Sequence, residues 1–182
     1  MMAILKGARQ KWGALIPQLP DTGGFQNPHT QIIISAALFL TLYRELEVHG
    51  QTMDEVGTLI LEAVVKMYQS WPGFMMRLLR NIQRKISGDR TARQLASKSQ
   101  QRHYPNDFVC VFVEGDGKNF DYGFDYLECG IWKFFHAQKA EEFVPYMCRL
   151  DFAYADAMGQ RLMRTGTIAS GNVKCDFRYK EL

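Results

Sequence analysis

The spacing of the apolar residues changes once along this chain, and that change limits the folds open to it. Residues 1–104 place them at helical intervals, whereas after Pro105 they run together or alternate. Asn27-Pro28 opens an apolar helix from His29 to His49 that Gly50 ends. Thr52-Met53-Asp54-Glu55 is a capping box, and Val56, Leu59, Ile60, Ala63, Val64 and Met67 follow it at i, i+3, i+4 and i+7. Trp71-Pro72-Gly73 stops that helix. Met75, Leu78, Leu79, Ile82 and Ile86 mark a third, which fades into a polar stretch, 87–102, that is either a loop or a helix with a thin apolar edge.

Past Pro105, Phe108 to Val113 is an unbroken β-branched and apolar run, expected to be a strand buried on both faces. A turn at Gly115-Asp116-Gly117-Lys118-Asn119 leads into an alternation. Phe120, Tyr122, Phe124 and Tyr126 fall on one face, Asp121 and Asp125 on the other. Helices are expected at 130–139 and 141–158. Strands 161–169 and 173–180 then form a second hairpin across Ser170-Gly171-Asn172. The fold class is therefore α+β, with N-terminal helices packed on an antiparallel sheet of at least four strands. Two hairpins build the sheet, and a helical pair lies between them.

The 182 residues suit one domain spanning 1–182, with a mainly helical half at 1–104 and a sheet-containing half at 105–182. At 47% hydrophobic and 23% charged, the chain can bury a core and is not a disordered segment. The start carries Lys6, Arg9 and Lys11 and lacks the apolar core of a signal peptide. The most apolar stretch, Ile32 to Leu40, is about half as long as a membrane span, so no membrane partner is expected. Cys110, Cys129, Cys148 and Cys175 are irregularly spaced, which suits reduced thiols and a cytoplasmic location. The apolar helix 29–49 serves a homo-oligomer interface as readily as a core.

Three of the cysteines fall where chemistry is conceivable. Cys129 precedes a helix, where a thiol can ionise easily. Cys148 shares a helix face with Asp151, Phe152 and Ala155. Cys175 shares a strand face with Val173, Phe177 and Tyr179, while Asp176 and Arg178 point the other way. Free cysteine is most often a small buried hydrophobe, and Cys110, inside an apolar strand, is read that way. Three thiolates with His136 would make a zinc-like set, but no close ligand pair supports a metal site. Asp151 on a largely apolar face is costly unless it is paired or used. Arg164-Thr165-Gly166-Thr167 offers a guanidinium and hydroxyls suited to a carboxylate, or simply a polar strand end.

Residues 77–102 hold eight Lys/Arg and one acid, a charge of +7, so the rest of this +3 chain sums to −4. A basic helix of this kind can bind phosphates or a larger acidic partner, and a solvated face is the commoner explanation; no aromatics interleave to stack bases, which argues against nucleic acid. P-loop, GxGxxG, GxSxG and HExxH motifs are absent, and His29, His49, His103 and His136 have no partner at a recognisable spacing.

Tyr126-Leu127-Glu128-Cys129, Met147-Cys148-Arg149-Leu150-Asp151, Arg164-Thr165-Gly166-Thr167 with Gly171, and Cys175-Asp176-Phe177-Arg178-Tyr179 together resemble the L-2-amino-thiazoline-4-carboxylic acid hydrolase-like family. Gly130 departs from the proline expected after the first cysteine. The resemblance implies hydrolytic opening of a small cyclic amidine or isothiourea at a C–N bond, with no cofactor. It implies Cys175, Cys148 and Asp151 as catalytic residues, and Arg164, Thr167, Cys129 and Asp176 as substrate-binding ones. Attack by a thiolate and attack by an activated water are both open. The alternative is a small-molecule-binding or sensor module on the same fold, with the cysteines as packing.

Overall fold

The structure, a computed structural model, describes residues 2–87 and 89–182, without the side chains of Arg77, Leu79 and residues 83–87. Three basic residues of the charged segment, Arg77, Arg84 and Lys85, and two apolar ones of the third helix, Leu79 and Ile86, thus lie outside the described side chains.

Helix α1 (Met2–Leu15) lies in the half expected to be mainly helical but was not delimited from the sequence, because only its last residue is buried and its apolar edge is thin. Asn27 caps α2 (Pro28–Val48) by accepting from the His29 N–H. The Thr52–Glu55 box opens α3 (Met53–Gln69) with both reciprocal bonds made. Helix α4 is Gly73–Ser87. The ambiguous polar stretch is helical, as α5 (Arg90–Ser99), with Ala96 as its buried residue. After the first hairpin come α6 (Gly130–Ala137) and α7 (Val144–Ala157), the expected helical pair. No described helix is long and apolar enough to cross a membrane.

Helices α1, α2, α3, α6 and α7 close around one dense core. Leu40, Phe135 and Phe143 are wholly buried there, and Tyr43 stacks on Phe143 at 4.5 Å. Helix α3 approaches α7 closely at Gly57, where an added Cβ would sit 2.0 Å from the Tyr146 ring.

The sheet is antiparallel in the order β1-β2-β4-β3: β1 (Val109–Glu114), β2 (Tyr122–Glu128), β3 (Gln160–Met163) and β4 (Cys175–Glu181). Both hairpins form, and β2–β4 pairing joins them, with Phe124 opposite Phe177 and Tyr126 opposite Cys175.

Three local expectations are corrected. Strand β1 is not buried on both faces; it is an edge strand, and Val111 stays 43% exposed. Its free edge at Cys110 is covered instead by α5, where Ser99 and Gln100 hydrogen-bond the Cys110 backbone. Phe120 lies outside β2, under the Arg178 guanidinium, and so does not share the face of Tyr122. The strands of the second hairpin are shorter than expected. Residues 164–174 form a loop because Asp176 captures the Thr165 and Gly166 N–H groups, while Thr167 and Ser170 cap a 3-10 turn. Val173 therefore leaves the strand, is 91% exposed, and does not share the face of Cys175.

Candidate functional site

Strand alternation divides the sheet into two chemically different faces. Phe112, Tyr122, Phe124, Tyr126, Cys175, Phe177 and Tyr179 pair across strands on the inner face. Ala155 of α7 packs there with Leu162, Cys175 and Phe177. Helices α2, α4, α5 and α7 roof the rest without filling it. The resulting cavity of about 720 Å³ is walled by Tyr122, Phe124, Tyr126, Tyr154 and Tyr179 and reached by His29 of α2. Its size is that of a small-molecule site.

Asp151 and Arg164 lie beside this aromatic wall. Arg164 Nη1 donates to Asp151 Oδ2 at 2.6 Å and Nη2 to the Cys148 carbonyl at 2.8 Å. The Phe152 and Phe177 rings cover the guanidinium at 4.9 and 4.8 Å. The Arg164 side chain is only 7% exposed, whereas that of Asp151 keeps 39% within its protein surround. The surround pushes the Asp151 carboxyl up to about 6, although Arg164 pulls the other way. A carboxyl there exchanges its proton near neutral pH.

The three expected thiols gather around this pair. Cys129 caps α6, its sulfur accepting from the Trp132 N–H at 3.4 Å. The sequence suggested that this position eases ionisation. Burial outweighs the N–H instead and pushes the thiol up to about 12. Burial also carries Cys148 to about 12, and Asp151 and Cys129 add to it. Cys175 is buried and accepts from the Ile168 N–H at 3.2 Å; burial raises it too, against that N–H and Arg164. Asp151 acts electrostatically on all three thiols and on the Tyr126 and Tyr179 phenols, so these groups share one neighbourhood. Among the described residues, no group of three His, Cys, Asp or Glu is arranged to hold a metal ion.

The other two expected residues have different work. Asp176, on the outer face, takes the Thr165 N–H, the Thr165 hydroxyl and the Gly166 N–H at 2.9, 2.6 and 2.8 Å. Thr167 and Ser170 cap the 3-10 turn. Both residues fix the loop that brings Arg164 to Asp151. Gly130, where a proline was expected, lies against Phe108: a Cβ there would be 2.9 Å from the ring and 3.0 Å from the Asn106 carbonyl. Neither the tyrosines of the wall nor His29 was named as a candidate site residue from the sequence, where Tyr122, Tyr126 and Tyr179 read as strand residues and Tyr154 as part of a helix.

Residues 31–179 match the model of the family described as L-2-amino-thiazoline-4-carboxylic acid hydrolase. The chain belongs to that family. No curated protein and no solved structure matches it. The match takes in Asp151, Arg164, the three thiols and the tyrosine wall, and it begins just after His29.

Proposed function

We propose that this protein is a hydrolase that opens a small cyclic amidine or isothiourea at a C–N bond, a 2-aminothiazoline-carboxylate or a related ring. The observation that carries the reading is Asp151: a carboxyl beside an aromatic cavity, still reached by solvent, whose proton leaves at about 6. In a chain of this family, such a group suits a substrate that is itself an amidine. Ionised Asp151 pairs with the protonated amidine, the flat ring stacks on the tyrosine wall, and Arg164 supplies positive charge toward the carboxylate.

The thiols favour water over thiolate as the nucleophile. A thiol raised to about 12 is ionised in roughly one molecule in 10⁵ at neutral pH. Water oxygen bonds to the carbon between nitrogen and sulfur, the C–N bond breaks, and the ring nitrogen leaves as an amine with a proton. Cys148 and Cys175 then act as protonated walls.

The test is incubation with 2-aminothiazoline-4-carboxylate, read by mass spectrometry for a product heavier by one water. Turnover should rise as pH climbs through about 6, where Asp151 ionises, and Asp151→Asn should remove most of it. Cys148→Ala and Cys175→Ala should keep most of it. A wild type that forms no ring-opened product overturns the reading. The same protonated thiols and half-buried rings favour a second reading, a non-catalytic binding or sensor module, for which saturable binding without product is the signature.

A further inference from the structure

A second proton-handling group lines the aromatic cavity beside which Asp151 lies, and neither the family motifs nor the Asp151 cluster includes it. His29 is 3% exposed, yet it lines both the aromatic cavity and an adjoining one of about 550 Å³. Its Nδ1 lies 2.9 Å from Asp107 Oδ1. Asp107 is itself fixed: Asn27 Nδ2 donates to Oδ2 at 2.6 Å, and the Phe108 N–H donates to Oδ1 at 2.7 Å. Burial raises the Asp107 carboxyl, but His29 and these donors outweigh it and hold it below the usual range. An ionised Asp107 accepts from Nδ1–H, which leaves the lone pair on Nε2. Among the described residues, Nε2 has no hydrogen-bond partner. The imidazole packs on Phe108 at 4.6 Å, and Phe108 packs edge-on against Tyr126 at 5.8 Å. A short aromatic chain thus joins His29 to Tyr126, a ring whose phenol feels the charge of Asp151.

A base oriented by a carboxylate, on a residue that lines a cavity and keeps its second nitrogen unbonded among the described residues, is the geometry of general-base catalysis. We propose that His29, positioned by Asp107, is the general base that takes a proton from the attacking water; this rests on the hydrolytic reading above. Nε2 accepts the water proton as the water oxygen bonds to the ring carbon. The imidazolium is stabilised by Asp107, which stays ionised. When the C–N bond breaks, the imidazolium returns the proton to the departing ring nitrogen. One water is consumed, and His29 ends as it began. Asp151 is then free to hold the protonated amidine, the role left to it above.

The experiment compares wild type, His29→Gln and Asp107→Asn on 2-aminothiazoline-4-carboxylate, with far-ultraviolet circular dichroism to check folding and ¹⁵N imidazole spectra to assign the tautomer. His29→Gln should lower kcat by about 10²–10⁴-fold, the range of a lost general base, with KM little changed. Asp107→Asn should lower kcat and change the His29 tautomer from Nδ1–H, which a purely structural contact would not require. A folded His29→Gln with kcat within about threefold of wild type overturns the proposal. If His29→Gln does not fold, Asp107→Asn decides: an unchanged kcat overturns it, and a fallen kcat with an altered tautomer supports it. A wild type that opens no ring removes the hydrolytic reading and this one with it. Active wild type beside equally active His29→Gln removes this one alone.

Discussion

The two faces of the sheet use the same strands and treat charge in opposite ways. On the outer face, Lys174 and Arg178 hold Asp125 at 2.6 and 2.8 Å, and Lys180 reaches Asp121 at 3.1 Å. Burial raises the Asp125 carboxyl, but its two cations outweigh that and lower it. On the inner face, Tyr126, Tyr179, Cys175 and the facing Asp151 are all pushed toward their protonated forms by burial. The difference teaches where a ligand's charge is useful. The outer face has already matched its charges. The inner one supplies aromatic surface with two charge pairs beside it, Arg164–Asp151 and Arg80–Glu181, and on the proposed reading a charged guest meets the first of them.

The largest break in this comparison comes from neighbouring residues of β4. Phe177→Ala removes a buried ring that packs on Tyr126 and carries Arg164, and it should cost about 3–5 kcal/mol in urea unfolding. Arg178→Ala, one residue on and facing out, should cost about 1 kcal/mol or less, because its ion pair with Asp125 is partly wetted. Equal costs would mean the faces are not energetically distinct. Next in size is Arg164→Met. It strips Asp151 of its cation but leaves a carboxyl able to take up a proton, so the cost should be about 1–3 kcal/mol rather than that of a stranded charge. The rise of turnover with pH should move above the wild-type position of about 6, since Arg164 is what lowers Asp151.

Much of the fold was legible because local rules and tertiary context agree. The capping box at Thr52, the hairpin turn at Asp116 and the alternation through Tyr126 each lead to the element observed. The bounds of helix α1 escaped because it packs through a thin edge around Trp12 and Leu15. The loop 164–174 escaped because Asp176 captures its backbone donors from another segment, a competition that a periodicity reading does not contain. In the candidate site, Asp151 drew attention as a charge on an apolar face, but nothing local says that Arg164 meets it. His29 was passed over because its partner, Asp107, lies 78 residues away. Strand alternation put Tyr122 and Tyr126 on one face; only the arrangement of four helices above it leaves that face open.

The smallest expected effect is a difference in the sign of pH dependence, and it tests the comparison most directly. Asp151 has a folded value, about 6, above that of an unfolded carboxyl. Its contribution to stability is therefore fully present below the unfolded value, near 4, and is lost as pH rises through about 6. Asp125 is lowered on folding, so its contribution is present above the unfolded value and lost as pH falls through the lowered one. Urea midpoints of wild type, Asp151→Asn and Asp125→Asn across this range separate the two. The advantage of wild type over Asp151→Asn should shrink from pH 4 to pH 7, and its advantage over Asp125→Asn should shrink as pH drops below 4. The Asp151 slope should be shallow, because 39% of its side chain is exposed and solvent screens it. Slopes of the same sign would show that burial on the inner face does not favour the neutral carboxyl, and would take away the reason for placing an amidine there.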